Sequence, residues 1–163
     1  MDRFIKRSLD GVALHAALDA QRQTRCLSWQ QVARETGVAA STLQRTKLNG
    51  TMETDGVLSM AKWMERPLED FIQGYEGEAR EKPAVAKYRF NCKALYAALD
   101  GERRAHKMTW VEVGEDLGGL PPGMLTRLAK GGRIGVHVMI NAVGWLGRTV
   151  ASFSDPSVTG RKG

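Results

Sequence analysis

The sequence predicts an all-α protein made of two tandem copies of one helical unit. The first observation is a long internal repeat, in which Trp29 recurs as Trp110, 81 positions later (110 − 29), within a run of matching residues. After one inserted residue the shift becomes 82 (145 − 63), and Trp63 recurs as Trp145. Helical spacing of apolar residues and matched helix caps in both copies are the other two observations. Together they indicate a tandem duplication.

The repeat defines the expected domains. Residues 4–72 are expected to form the first domain and residues 85–153 the second, each with a small core. A polar, glycine-containing linker over residues 73–84 connects them. A short basic tail over residues 154–163 follows the second domain and is expected to be disordered.

The first two helices of each copy are predicted from apolar spacing and from their caps. Leucines at helical spacing form one face of the first helix, which follows an N-cap at Asp10 or Asn91. The second helix begins at a capping box in each copy, Ser28 to Gln31 and Thr109 to Glu112. It is expected to end at the glycine that suits a left-handed C-cap, which is residue 37 or 118.

Three more helices complete each predicted five-helix unit. The third covers about residues 39–47 in the first copy and 122–129 in the second, where a proline suits the first turn. The fourth and fifth cover residues 55–64 and 67–72, with counterparts at 136–146 and 149–153. Trp29 and Trp110 are expected to be buried between the second and fourth helices. On the first helix, Arg22 is expected to pair with Asp19.

The charge balance favours a polyanionic partner. The formal net charge is +6 and the pI is near 9.6. Residues 12–72 carry seven Lys and Arg against seven Asp and Glu, whereas residues 92–153 carry eight against five. The excess positive charge is therefore expected mainly in the second copy, and nucleic acid is the simplest partner.

Other functional classes receive little support from the sequence. Neither cysteine nor any histidine recurs at the equivalent position of the other copy, so we expect no disulfide, no metal site and no cofactor. The Gly-Gly pairs lack the Lys-Ser or Lys-Thr of a phosphate loop, and we do not expect an enzyme. No apolar run is long enough for a membrane span, and a signal-peptide core is lacking, so we expect a cytoplasmic protein.

The second and third helices of the first copy have the residue spacing of a helix-turn-helix. This motif needs a small residue where the helices cross, a glycine in the turn and an apolar anchor on the second of its two helices. Ala33, Gly37 and Leu43 meet these needs in the first copy. In the second copy the corresponding residues are Gly114, Gly118 and Leu125, with a turn one residue longer.

With these residues, the sequence resembles the lambda-repressor-like, Cro/repressor (XRE) helix-turn-helix regulators of bacteria and phages. The resemblance rests on Val32-Ala33-x-x-x-Gly37-Val38-x-x-Ser41-Thr42-Leu43-x-Arg45 and on the later Leu58, Trp63, Leu68 and Phe71. It implies that the third helix is a recognition helix that lies in the major groove of double-stranded DNA. The chain differs from the usual family pattern in having a tryptophan at position 29 and an alanine at position 40.

The resemblance implies a set of DNA-contacting residues in the first copy. Base contacts are expected from Ala39, Ala40, Ser41, Gln44 and Arg45, and phosphate contacts from Ser28, Gln30, Lys47, Asn49 and Thr51. Gln44 and Arg45 are the strongest base-contacting candidates, since glutamine pairs well with adenine and arginine with guanine in the major groove.

The second copy offers fewer base-contacting side chains. Its expected DNA-binding residues are Thr109, Gly123, Thr126, Arg127, Lys130 and Arg133. Two interpretations remain open: a weaker DNA-binding copy that mainly contacts phosphate, or a copy used for homodimerisation or for binding a protein partner. Its positive charge favours the first interpretation.

The function expected from the sequence is sequence-specific binding of double-stranded DNA in the regulation of transcription, as a repressor. The two recognition helices would then occupy adjacent major grooves. One alternative is an antitoxin or adaptor in which the second domain binds a protein. Another is a DNA-organising protein with little sequence preference.

Overall fold

The computed structural model describes residues 7–49, 52–73, 83–87 and 89–154. In this part of the chain the fold is all-α apart from one short β-ribbon. The helices are α1 (Gly11–Thr24), α2 (Trp29–Thr36), α3 (Ala40–Arg45), α4 (Thr54–Met64), α5 (Cys92–Ala105), α6 (Trp110–Asp116), α7 (Pro122–Thr126) and α8 (Val136–Leu146). The ribbon pairs β1 (Ser8–Leu9) antiparallel with β2 (Ile72–Gln73). The predicted Thr51, residues 74–82 of the linker and residues 155–163 of the tail lie outside the described residues.

The predicted N-caps are confirmed in both copies. Asp10 accepts a hydrogen bond from the backbone N–H of Ala13 at 3.0 Å, and Asn91 does the same for Ala94 at the start of α5. Both capping boxes are complete, because each cap side chain and each N3 side chain bonds the other residue's backbone N–H. These contacts fix the starts of the first two helices of each copy.

The ends of several helices differ from the sequence prediction. The expected fifth helices are single 3-10 turns, Leu68–Phe71 and Val150–Phe153. The third helices are also short, and each continues as a 3-10 turn, Thr46–Leu48 after α3 and Arg127–Lys130 after α7. Gly37 caps α2 with a φ of 77°, as predicted, but α6 already ends before Gly118. The longer turn of the second copy moves its left-handed residues past the helix cap.

The prediction that Trp29 and Trp110 are buried between the second and fourth helices was wrong. Trp29, the first residue of α2, is half-buried and packs against α1. Its ring stacks on that of His15, with the ring centroids 5.3 Å apart. Trp110 is half-buried in the same way against Tyr96 of α5. Each tryptophan begins its helix, so it faces the neighbouring first helix rather than the fourth.

The other pair of tryptophans connects the second and fourth helices. The indole N–H of Trp63 on α4 donates to Glu35 on α2 at 2.7 Å. This hydrogen bond is the main reason that the pKa of Glu35 is lowered. In the second copy Trp145 on α8 donates to Asp116 on α6 at 3.3 Å. Trp63 and Trp145, which were also expected to be packing residues, therefore form the link that was expected from Trp29 and Trp110.

The predicted ion pair on the first helix is confirmed in both copies. Arg22 lies 2.6 Å from Asp19, and Arg103 lies 2.5 Å from Asp100. In each case the hydrogen bond from the arginine is the largest reason that the pKa of the aspartate is lowered. Each arginine also donates to a carbonyl of the following loop, at Leu27 in the first copy. These arginines therefore have a structural role.

The two copies contact each other through equivalent residues. The N–H of Thr54 donates to the carbonyl of Ile134 at 3.0 Å, and the N–H of Val136 donates to the carbonyl of Met52 at 2.8 Å. These residues are related by the repeat shift of 82 (134 − 52 and 136 − 54). A reciprocal contact between equivalent residues is the pattern of a twofold-symmetric interface. Here it lies within one chain, and the buried apolar residues of both copies form one cluster.

Segments that precede the first helices extend this contact. Asn141 on α8 accepts from the backbone N–H of Arg7 at 2.7 Å and donates to its carbonyl at 3.0 Å. In the other direction, Asp55 on α4 accepts from the backbone N–H of Phe90 at 3.1 Å. Glu69 accepts from the backbone N–H of Val150 at 2.7 Å, and its burial raises its pKa. Each copy is thus anchored on the long fourth helix of the other.

Gly114 is expected to be essential for the helix crossing in the second copy. A Cβ atom at this position would overlap the carbonyl oxygen of Leu120, whereas Ala33 fits at the equivalent position of the first copy. Gly114→Ala should therefore destabilise the protein by about 1 to 3 kcal/mol in thermal or urea unfolding. Gly101→Ala is the matched control, because its Cβ would enter open space on α5, and it should be neutral or stabilising. Equal stability of the two variants would contradict the close crossing.

Candidate nucleic-acid interface

In the first copy, α2 and α3 are joined by a short turn over residues 37–39. Val32 on α2 and Leu43 on α3 are completely buried, and Val38 in the turn is nearly so. Gly37 takes the left-handed conformation that ends α2, and no side chain crowds it. The apolar anchors therefore hold α3 against α2 and leave the opposite side of α3 in contact with solvent.

The predicted DNA-contacting residues of the first copy lie mainly on the exposed surface. The exposed ones are Ser28, Gln30, Ala39, Ser41, Arg45, Lys47 and Asn49, and the half-buried ones are Ala40 and Gln44. Arg45 has no ion-pair partner among the described residues, so its guanidinium group is available for a ligand.

Gln44 has a neighbour that the sequence did not predict. Its amide oxygen lies 3.4 Å from Nε2 of His15 on α1. The same histidine stacks on Trp29, so Gln44 is connected through it to the start of α2. This long contact brings the amide group of Gln44 next to α1.

Two residues predicted to contact phosphate also stabilise the local fold. Asn49 has a φ of 57°, and its side-chain oxygen accepts from the N–H of Gly11 at 2.6 Å, which joins the 3-10 turn after α3 to α1. Ser28 accepts from the N–H of Gln31 as the N-cap of α2. Its hydroxyl proton remains able to donate to an anion.

The second copy has the same arrangement of helices but a different front surface. The residues that open α7 are Pro121, Pro122 and Gly123, whose side chains offer no hydrogen-bonding group. The hydroxyl of Thr126 donates to the carbonyl of Gly123 at 3.3 Å, within its own helix. Arg127 is exposed and is the remaining strong donor on this front.

The flanks of α7 are cationic. Lys130 and Arg133 are exposed, as is Thr109 at the cap of α6. Arg133 pairs with Glu53 of the first copy at 3.1 Å, so its charge is partly engaged at the contact between the copies. Lys93 on α5 is also exposed and lies beside Gly131. The sequence prediction omitted Lys93, although comparison with the equivalent Val12 would have revealed it.

Other chemical sites are not apparent in the described part of the chain. Within residues 7–49, 52–73, 83–87 and 89–154, no three His, Cys, Asp or Glu side chains form a group that could hold a metal ion. No helix in these ranges is both long and apolar enough to cross a bilayer. Comparisons with protein-family models, curated proteins and solved structures gave no match to this chain. The geometry of its own residues is therefore what supports a function.

Proposed function

We propose that the protein is a sequence-specific, double-stranded-DNA-binding regulator of transcription that acts as a repressor. The observation that carries this proposal is the α2–α3 motif of the first copy, which presents Ser41, Gln44 and Arg45, the last with no ion-pair partner among the described residues. An α-helix fits the major groove of B-DNA, and a protruding second helix is how this motif places side chains at base edges.

The side chains on α3 suit direct base readout. An arginine donates two hydrogen bonds to the O6 and N7 acceptors of guanine, and a glutamine pairs with N6 and N7 of adenine. Lys47 and the capped start of α2 at Ser28 flank this face, where phosphate contacts would fix the orientation of the helix. The first copy therefore combines base-contacting and phosphate-contacting groups on one surface.

The contact between the copies supports binding of DNA by a single chain. We propose that residues 4–72 and 85–153 act as two helix-turn-helix domains, each with four α-helices and a closing 3-10 turn. The residues on either side of Glu53 and Gly135 form backbone hydrogen bonds in both directions between the copies. Reciprocal bonds of this kind occur across the axis of a symmetric dimer. In this proposal, α3 and α7 occupy adjacent major grooves of one site. Because the two helices differ in sequence, the two half-sites should differ as well.

A role for the second copy in binding a protein is the alternative. Val111 on α6 is 51% exposed and replaces the polar Gln30 of the first copy, which favours this alternative at the edge of the motif. An antitoxin or adaptor would use this surface for its partner. A DNA-organising protein, by contrast, would bind duplexes of any sequence with similar affinity.

Selection from a pool of random-sequence duplexes tests the proposal. The protein should enrich one asymmetric motif of roughly two helical turns, with the stronger sequence preference in one half. Binding should survive an excess of random competitor DNA at moderate salt. Enrichment of no motif, despite DNA binding, would favour the DNA-organising role, and no DNA binding by the folded protein would favour the protein-binding role.

A further inference from the structure

Beside the third helix, two exposed positions are aliphatic in the first copy and lysine in the second. In the first copy, Val12 on α1 and Leu48 after α3 are apolar yet 54% and 67% exposed. Their equivalents in the second copy are Lys93 (12 + 81) and Lys130 (48 + 82), which are both exposed. The duplicated unit thus carries two lysines at sites where its other copy carries two exposed aliphatic side chains.

The two lysines belong to one surface. The side chain of Lys93 lies against the turn at Gly131, with its Cε 3.0 Å from where a Cβ of that glycine would be. Lys130 is the residue immediately before this turn, and Arg127 lies one turn earlier in the same 3-10 helix. Neither lysine has an ion-pair partner in the part of the chain that the structure describes. Three cations therefore flank the end of α7.

The exposed front of α7, by contrast, carries fewer hydrogen-bonding side chains than the front of α3. Where the first copy presents Ser41 and Gln44, the second presents Gly123 and Thr126, and the hydroxyl of Thr126 already donates to its own helix. The first copy does keep one flanking cation that the second lacks, since Lys47 corresponds to Ala129. Compared with the first copy, the second thus has fewer base-contacting groups and has two flanking lysines, Lys93 and Lys130, where the first has only Lys47.

We propose that the two copies have different roles in DNA binding. The second copy binds mainly the sugar-phosphate backbone, through Lys93 and Lys130, and the first copy supplies most of the base readout. This inference rests on the proposed function, since it assigns separate roles to the two halves of the same DNA-binding surface. Lysine suits this role because it contacts phosphate as a point charge, whereas base discrimination needs bidentate geometry.

A double variant that makes the second copy resemble the first tests the proposal. Lys93→Val/Lys130→Leu removes two phosphate contacts, so the slope of log K against log salt should become less negative by about 1.8, at about 0.9 per contact. Between 50 and 200 mM salt this variant should lose roughly 12-fold less affinity than the wild-type protein. Its affinity at fixed salt should fall by the same factor on the selected duplex and on a random duplex.

The reciprocal variant is the matched control. Val12→Lys/Leu48→Lys places the same charges on the first copy and should make the salt slope more negative, by up to the same amount. All four positions are exposed, so the circular dichroism melting curves of both variants should match that of the wild-type protein.

The results that would overturn the division of roles are distinct from those that would overturn the proposed function. A Lys93→Val/Lys130→Leu variant with an unchanged salt slope would exclude the phosphate contacts. A loss on the selected duplex at least tenfold larger than the loss on random DNA would mean that the second copy selects bases. Either result leaves the proposed function standing if Arg45→Ala still abolishes the preference for the selected duplex. Equal binding of selected and random duplexes by the wild-type protein would instead contradict the proposed function itself.

Discussion

Replacing Asn141 with alanine is expected to destabilise the protein by about 2 to 3 kcal/mol in urea unfolding. The side chain is 3% exposed and bonds both the N–H and the carbonyl of Arg7. Alanine would leave these backbone groups without their side-chain partner on α8 and would open a small cavity between the copies. Because this contact anchors one copy on the other, the affinity for the selected duplex should also decrease.

The matched control is Ser59→Ala at the equivalent position of the first copy. Ser59 is half-buried on α4 and forms no side-chain hydrogen bond among the described residues. Its replacement should change the free energy of unfolding by less than about 0.5 kcal/mol. If Asn141→Ala proved as stable as Ser59→Ala, the Asn141–Arg7 contact would not hold the copies together.

Arg45→Ala is expected to weaken binding to the selected duplex by about 1 to 3 kcal/mol, or roughly 5- to 150-fold. The guanidinium group is exposed on α3 and has no ion-pair partner in the described ranges, so its loss should not affect the fold. Titrations with selected and random duplexes should show a much larger loss on the selected one, because a bidentate contact to a base depends on sequence.

A charge-matched control separates base contact from general electrostatics. Arg104 is exposed near the C-terminal end of α5 and pairs with Asp100. Arg104→Ala should reduce binding to both duplexes slightly and equally. An Arg45→Ala variant that behaved in the same way would mean that Arg45 meets only phosphate.

Local rules made much of the fold predictable from the sequence. The N-caps at Asp10 and Asn91 and both capping boxes depend on residues three positions apart, and the structure contains all of them. The left-handed cap at Gly37 follows from the conformational freedom of glycine. The comparison of the two copies added further evidence, because equivalent residues kept equivalent helix starts.

Tertiary contacts account for the features that the sequence did not predict. Spacing alone identified the tryptophans as packing residues but did not say that Trp29 faces α1 while Trp63 faces α2. In the first copy, the closing 3-10 turn ends at Phe71, and Ile72 is extended and pairs with Leu9 in the β-ribbon. Short strands of two residues have no sequence signature of their own.

The candidate site was predictable to a similar degree. The resemblance to a known motif placed Arg45 and Lys47 on an exposed surface, where the structure has them. The resemblance did not indicate that His15 lies beside the amide of Gln44, or that the side chain of Asn49 accepts a hydrogen bond from the start of α1. Both contacts join residues more than 25 positions apart in the chain, at a distance where spacing rules carry no information.

The direct test of the central claim is a hydroxyl-radical footprint of the selected duplex, combined with the mass of the complex from sedimentation. One chain per duplex should protect two unequal patches centred about one helical turn, or 34 Å, apart. Arg127→Ala should weaken only the patch assigned to the second copy, and Arg45→Ala only the other patch. Protection of a single patch that Arg127→Ala leaves unchanged, or a complex containing two chains, would contradict the account.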